Sequence, residues 1–110
     1  DLTSKTVGTS SSQMRAGVTR AKLAQQKRFG KESTMTNASM KTQQLKEHCV
    51  LDEAGQALMK QAMEELGLSA RAFDKVRRVA RTIADMEGCD VIASHHVSEA
   101  VQYRLLDRKT

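Results

Sequence analysis

With 110 residues and 39% hydrophobic content, the chain has room for one small domain with a modest core, which excludes a multidomain enzyme within these residues. It holds no Trp, one Tyr, two Phe and no Pro, so Leu, Val, Ile, Ala and six Met must supply the packing, and an all-helical domain is favoured. The net charge of +5 is uneven: residues 1–46 carry nine Lys/Arg against two acids, and residues 47–110 carry nine against eleven. The basic half suits nucleic acid, nucleotide or an acidic partner, and equally a solvated helix with no polyanion partner.

Residues 1–11 are polar and rich in Ser and Thr, and read as a linker or frayed start. The domain proper is expected over 12–110. Its first helix runs from Ser12 to Phe29. Met14, Val18, Ala21 and Leu23 make a weak apolar stripe there, and Gly17 interrupts it at roughly 1 kcal/mol relative to Ala. Arg15, Arg20, Lys22, Lys27 and Arg28 make this helix basic, and they are the candidate contacts to DNA or to a neighbouring subunit. Gly30 is placed for a C-terminal cap, and 30–39 reads as a loop.

A short helix is predicted over Met40–His48, with Leu45 facing inward. Asp52 supplies the N-cap of a helix ending at Leu66. Ala54, Leu58, Met59, Ala62, Met63 and Leu66 form its stripe, and Gly67 stops it. Ser69 caps the next helix, which extends to Glu87 with Phe73, Val76, Val79, Ala80, Ile83 and Met86 inward. Gly88 closes it. An extended link, Asp90–Ala93, points Val91 and Ile92 at the core. Ser94 caps a last helix, His95–Asp107, with Val97, Ala100, Val101 and Leu105 inside. The expected fold class is therefore all-α, a small bundle of four to five helices.

Arg71, Lys75 and Arg78 recur at i, i+4 and i+7 and share one helix face. Arg71 sits in a first turn, where a cation opposes the helix dipole and a docked anion would relieve it. Arg77 and Arg81 have Asp74 and Asp85 within pairing distance, which reads as a solvated helix laced with ion pairs. His48, Cys49, Cys89, His95 and His96 are residue types that bind zinc, but their spacing is poor. Adjacent helical residues point about 100° apart, and no short C-x-x-C or H-x-x-x-H pair exists. No metal site is expected. Cys49 and Cys89 read as reduced and partly buried, although a disulfide between them is not excluded by sequence. The six Met read as gap-fillers in a core short of aromatics, rather than a soft partner-binding groove.

No P-loop, nucleophile elbow or zincin motif occurs, and no aromatic platform for base stacking. The isolated chain is not expected to be an enzyme. No apolar run approaches the roughly 18 residues a membrane span needs, and no secretion signal is present, so a cytoplasmic location without membrane contact is expected. Because residue 1 is Asp, the chain reads as a piece of a longer protein.

The chain resembles the C-terminal domain of the magnesium-chelatase-like AAA+ ATPases of the ComM/YifB type. Leu2 and the SKTV of 4–7 are similar to the family's segment after its ATPase core. Val18, Ala21, Gln25 and Arg28 follow its V-x-x-A-R-x-x-Q-x-x-R pattern, and Asn37–Ala38 and His48–Cys49 also fit. The most specific stretches are GLSARAFDKVRRVARTIADMEG, Gly67 to Gly88, and HVSEAVQYRLLDR, His96 to Arg108. Gly17 stands where the family usually has Arg, and Lys22 where it often has Arg, which puts an inter-subunit arginine at the Gly17 position in doubt.

The resemblance implies a helical lid over a nucleotide, with Arg71 as the sensor-2 arginine on the γ-phosphate and Ser69, Ala72 and Lys75 lining the nucleotide pocket. It implies ATP and magnesium as cofactors of the parent protein, with none bound by the isolated domain. The implied partners are the upstream ATPase core, neighbouring subunits of a homohexamer, and DNA, in a motor extending branches during DNA uptake and recombination. Reading the residues without the resemblance keeps two alternatives: a stand-alone nucleic-acid-binding module built on the basic first helix, and a protein-interaction bundle.

Overall fold

Five α-helices and one 3-10 turn make up the computed structural model, which describes residues 11–109, with side chains as far as residue 104. The helices are α1 Ser11–Phe29, α2 Thr42–His48, α3 Glu53–Leu66, α4 Ala70–Met86 and α5 Ser94–Lys109, with the 3-10 turn at Asn37–Ser39 between α1 and α2. The all-α bundle read from composition is the observed one. The expected linker at 1–11 lies outside the described residues except for Ser11, which is already the first residue of α1, and the inward placement of Leu105 lies outside the described side chains.

Local chemistry sets most helix ends. The Asp52 carboxylate accepts the Gly55 N–H at 2.6 Å and starts α3. The Ser69 hydroxyl accepts the Ala72 N–H at 3.1 Å and starts α4. Gly67 ends α3 in the left-handed region at φ 61°, where it donates its N–H to the Met63 carbonyl. Two boundaries differ from the sequence expectation. Lys41 caps α2, so Met40 is an extended core residue rather than a helical one. Ser94 is already helical, and the Ala93 N–H is taken by His96 Nδ1 at 2.9 Å.

Helix α4 is the axis of the fold, since it packs against α1, the 3-10 turn, α2 and α5, while α3 closes on α5. Met40, Leu45, Met59, Val76, Ala80, Ala84, Ile92 and Val97 form the centre of the core. Among the described residues a single parallel bridge, Leu51 to Ile92, ties the links on either side of α3 and α4. Ile92 donates to the Val50 carbonyl at 2.8 Å and accepts from Asp52 at 2.9 Å, which holds its side chain fully inside.

Several inward assignments are corrected. Val91 is exposed, because the bridge turns alternate residues to opposite sides. Ala54 is exposed and Leu66 sits at the rim, so the α3 stripe is narrower than its spacing suggests. In α1, Met14, Val18 and Leu23 face away from the bundle, and Gly17 and Ala21 are the buried residues. The reason is close approach: a Cβ on Gly17 would lie 3.4 Å from Met86 Cε, so α1 crosses the end of α4 on its smallest residues.

The largest correction concerns charge. Arg77 and Arg81 are buried, not solvated, and Arg81 is the largest fully enclosed side chain among the described residues. Its guanidinium donates to the carbonyls of His48, Cys89 and Asp90 and pairs with Asp85 at 3.0 Å. Asp85 also receives Arg28 in a bidentate pair, at 2.9 Å on each oxygen, and the Asn37 amide at 2.8 Å. Asn37 in turn accepts from Arg28 at 2.8 Å and donates to Thr82 at 3.0 Å. One carboxylate between two guanidiniums thus joins α1, the 3-10 turn and α4. Cys49 and Cys89 are free thiols, and burial raises the pKa of Cys49.

Candidate functional site

Three cations from two helices meet at the N-terminus of α4. Ser69, Arg71, Ala72, Lys75 and Arg104 line a cavity of about 360 Å³ there. Arg71 and Lys75 come from successive turns of one face of α4, and Arg104 comes from α5, which packs along it. No carboxylate lines this cavity among the described residues. Arg71 is exposed and makes no hydrogen bond or ion pair with a described residue. The Ser69 hydroxyl and the Ala72 N–H are spent on each other as the cap, and the Ala72 side chain is buried. These two residues therefore shape the cavity, while Arg71, Lys75 and Arg104 supply its charge. The helix N-terminus adds its own positive potential. A helix N-terminus flanked by cations attracts anions.

Arg78, placed by spacing on the same face, does not join the cavity. Its Nε donates to the Met40 carbonyl at 2.8 Å, because α2 packs on that part of α4.

The basic residues of α1 separate into two groups. Arg28 is held in the Asp85 pair with a side chain only 12% exposed. Arg20 is anchored by its Nε to the Met86 carbonyl at 2.7 Å, the open C-terminal end of α4. Arg15, Lys22 and Lys27 are exposed. Arg20, Lys27 and Arg28 border a cavity of about 630 Å³ whose wall also contains Asp85 and Asp90, so its charge is mixed.

A third cluster was not legible in the sequence. His95 Nε2 and His96 Nε2 each lie 2.9 Å from Glu87 Oε1, with Cys89 alongside, so the histidine pair does not splay apart. Glu87, Cys89 and His96 present ligand atoms within 4.8 Å of one another. Hydrogen-bond direction argues against a metal there. His96 Nδ1 accepts the Ala93 N–H, which places the neutral ring's proton on Nε2, the atom a metal would need. The cluster is a hydrogen-bonded triad across the α4–α5 turn.

The triad predicts a pH dependence. The His95 hydrogen bond is the main cause that lowers the pKa of Glu87. The Glu87 hydrogen bond is the main cause that raises the pKa of His95, with Glu99 and Asp52 adding smaller attraction. Stability from Glu87 is present above its ordinary value of 4.5 and is lost as pH falls through the lower folded value. Stability from His95 is complete below its ordinary value of 6.5 and is lost as pH rises through the higher folded value. The melting temperature is therefore expected to peak between these values, and Glu87→Gln to flatten the peak. Parallel pH profiles of the two proteins from about pH 4 to about pH 8 would show that the triad is not linked to folding.

Arg104 and Glu87 are the site residues that spacing did not reveal. Arg104 lies within the YRLLDR stretch, but only the packing of α5 on α4 brings it to Arg71.

The family model described as magnesium chelatase, subunit ChlI C-terminal, matches residues 8–104. YifB of Escherichia coli is 37% identical over 109 residues, covering 97% of this chain and 21% of that protein. YifB of Salmonella typhimurium is 36% identical over 93 residues, covering 84% of this chain and 18% of that protein. Competence protein ComM of Haemophilus influenzae is 34% identical over 101 residues, covering 92% of this chain and 19% of that protein. The chain spans about a fifth of the length of these curated relatives. No solved structure matches it. With the match running along nearly all of its length, the chain belongs to the magnesium chelatase ChlI C-terminal family, as the C-terminal domain shared with YifB and ComM.

Proposed function

We propose that this domain is the lid of a magnesium-chelatase-like AAA+ ATPase and that Arg71 is its sensor-2 arginine, contacting the γ-phosphate of ATP. The observation that carries the proposal is the convergence of Arg71, Lys75 and Arg104 on the α4 N-terminus with no described carboxylate among them. A guanidinium there forms two parallel hydrogen bonds to a terminal phosphate, and an ammonium beside it adds a point charge. When the terminal phosphate leaves, Arg71 loses its partner and the lid loses a tie to the core, so hydrolysis becomes movement. The cavity holds cations and no described carboxylate, so it suits the phosphate oxygens, and magnesium would be held by the upstream core. The isolated domain, with one face of the site, is expected to hold nucleotide weakly, because few contacts do not offset the entropy of association.

At the level of the whole protein, the proposal is a hexameric motor acting on DNA during uptake and recombination. It is supported by the likeness to a protein named for competence. DNA binding by α1 alone is less well supported, because Arg28 is held in the Asp85 pair and Arg20, although exposed, is anchored to the Met86 carbonyl. Such binding would weaken linearly in log salt.

The test is Arg71→Ala in the full-length protein. ATP turnover is expected to fall about a hundredfold, the scale of losing one donor aimed at developing charge. The melting temperature of the domain should hold, since Arg71 is exposed and touches no described partner. Unchanged turnover would remove the sensor assignment.

A further inference from the structure

Residues 11–46 carry eight Lys/Arg and a single acid, Glu32. The fold divides the cations of α1 between two sides. Arg20 and Arg28 turn to the end of α4, where the Met86 carbonyl and Asp85 hold them. Arg15 and Lys22 stand seven residues apart and Gln26 four further on, so these three line another face of α1 over about 16 Å of helix. Arg15 and Lys22 are exposed, and none of the three side chains has a hydrogen bond or ion pair with a described residue.

A groove of about 400 Å³ runs between this face and the loop that follows α1. Lys22 and Gln26 line it from α1, Lys31, Ser33 and Thr34 from the loop, and Met86 from α4. No carboxylate lines it among the described residues. The loop is tied down. Gln25 Oε1 accepts the Asn37 N–H at 2.8 Å, the Thr82 hydroxyl accepts from the Asn37 amide at 3.0 Å, and Ser33 Oγ accepts the Met35 N–H at 3.0 Å. The groove is therefore shaped before any partner arrives, which lowers the cost of binding. The side-chain groups left unspent are the Arg15 guanidinium, the Lys22 and Lys31 ammoniums, the Gln26 amide and the Thr34 hydroxyl. Lysine and arginine only donate, so the partner they fit presents anionic acceptors repeated along a line.

We infer that this face of α1 and the 31–36 loop together form a docking surface for the phosphodiester backbone of duplex DNA. A duplex carries one negative charge per about 1.7 Å of its axis, a density that suits a row of donors with no acid among them. The bases themselves are not read. Phe29 lies edge-on to His48, Phe73 lies beside the Arg77 guanidinium and Tyr103 belongs to α5, so among the described residues no aromatic ring lines the groove for an unpaired base to stack on. A duplex, whose bases are already stacked inside it, needs no such ring, and this selects it over a single strand. Helix α1 alone is not the surface, since the loop supplies Lys31 and one wall of the groove. The surface rests on the reading of a parent protein that acts on DNA and is independent of Arg71.

The experiment follows a fluorescein-labelled DNA duplex of mixed sequence by anisotropy as it binds the full-length protein over a range of salt. The proteins are wild type, Lys22→Ala, Lys31→Ala and the triple variant Arg15→Ala, Lys22→Ala, Lys31→Ala. Each single substitution is expected to make the fall of log K with log salt shallower by about 0.9, and the triple variant by roughly three times that. In low salt the triple variant should bind about tenfold more weakly or worse, by the same factor for any sequence. All three residues are exposed, so the melting temperature should hold. Lys60→Ala, which removes an exposed charge from α3, should leave the slope as it is. An unchanged slope in the triple variant overturns the inference and places DNA binding elsewhere in the protein. An equal change in Lys60→Ala also overturns it, since net charge rather than this surface would then decide. A triple variant impaired for single-stranded oligothymidylate and not for the duplex overturns the choice of duplex. Displacement of the duplex by polyglutamate as readily as by unlabelled duplex of equal charge assigns the surface to an acidic protein instead. A wild-type protein that binds no duplex removes the reading of a DNA-acting parent, and this surface with it.

Discussion

Asp85→Ala is expected to destabilise the domain by about 3–5 kcal/mol, enough to unfold much of the population of a protein this small. Its carboxylate is the single described acid between the Arg28 and Arg81 guanidiniums, and its side chain is only 2% exposed. Removing it leaves Arg81 charged, buried and held only by the carbonyls of His48, Cys89 and Asp90. It also unties Asn37 from α4 on one side and loosens Arg28 of α1. Three elements therefore lose their common anchor at once. Asp85→Asn keeps the shape and one acceptor but not the charge, and should fall between the two proteins. Urea denaturation followed by circular dichroism measures the difference. A loss below about 1 kcal/mol, the scale of an exposed ion pair, would mean that water reaches this network in solution.

Leu45→Ala should cost about 2–5 kcal/mol, through lost transfer energy and the cavity left behind. Leu45 is the one fully buried apolar residue on α2, a helix of seven residues. A helix this short is not stable by propensity, so its order depends on packing against α4. The same substitution at Ile83, which the sequence pattern marks as central, should cost less because Ile83 is only partly buried. Thermal melts of the two variants decide this. Equal losses would show that the α4 face toward Ile83 is more enclosed in solution.

Much of the fold was legible because its signals are local. Asp52 and Ser69 announce α3 and α4 with side chains that reach their own first turns, and Gly67 announces a stop through its left-handed φ. Leu45, Val76, Ala80 and Val97 were placed inside by helical period alone. The candidate nucleotide site was half legible. Arg71 and Lys75 are neighbours on one helix face, and the family likeness pointed to the same turn. Arg104 was invisible as a partner, because its position at the cavity depends on how α5 packs against α4.

The amino-acid sequence by itself determined the helices, their caps and the residues available to cap and line the α4 N-terminus. The caps depend on interactions a few residues long, since the Asp52 and Ser69 side chains reach only their own first turns. Tertiary packing alone decided which charges went inside. Arg81 looked like one more surface arginine, since its i+4 acid fits an exposed pair as well as a buried one. What encloses it are carbonyls from the end of α2 and from the α4–α5 turn, with Arg28 of α1 on the far side of Asp85. Those groups are remote in sequence and meet only when the helices have docked, and a buried guanidinium is tolerable only where such acceptors are already assembled.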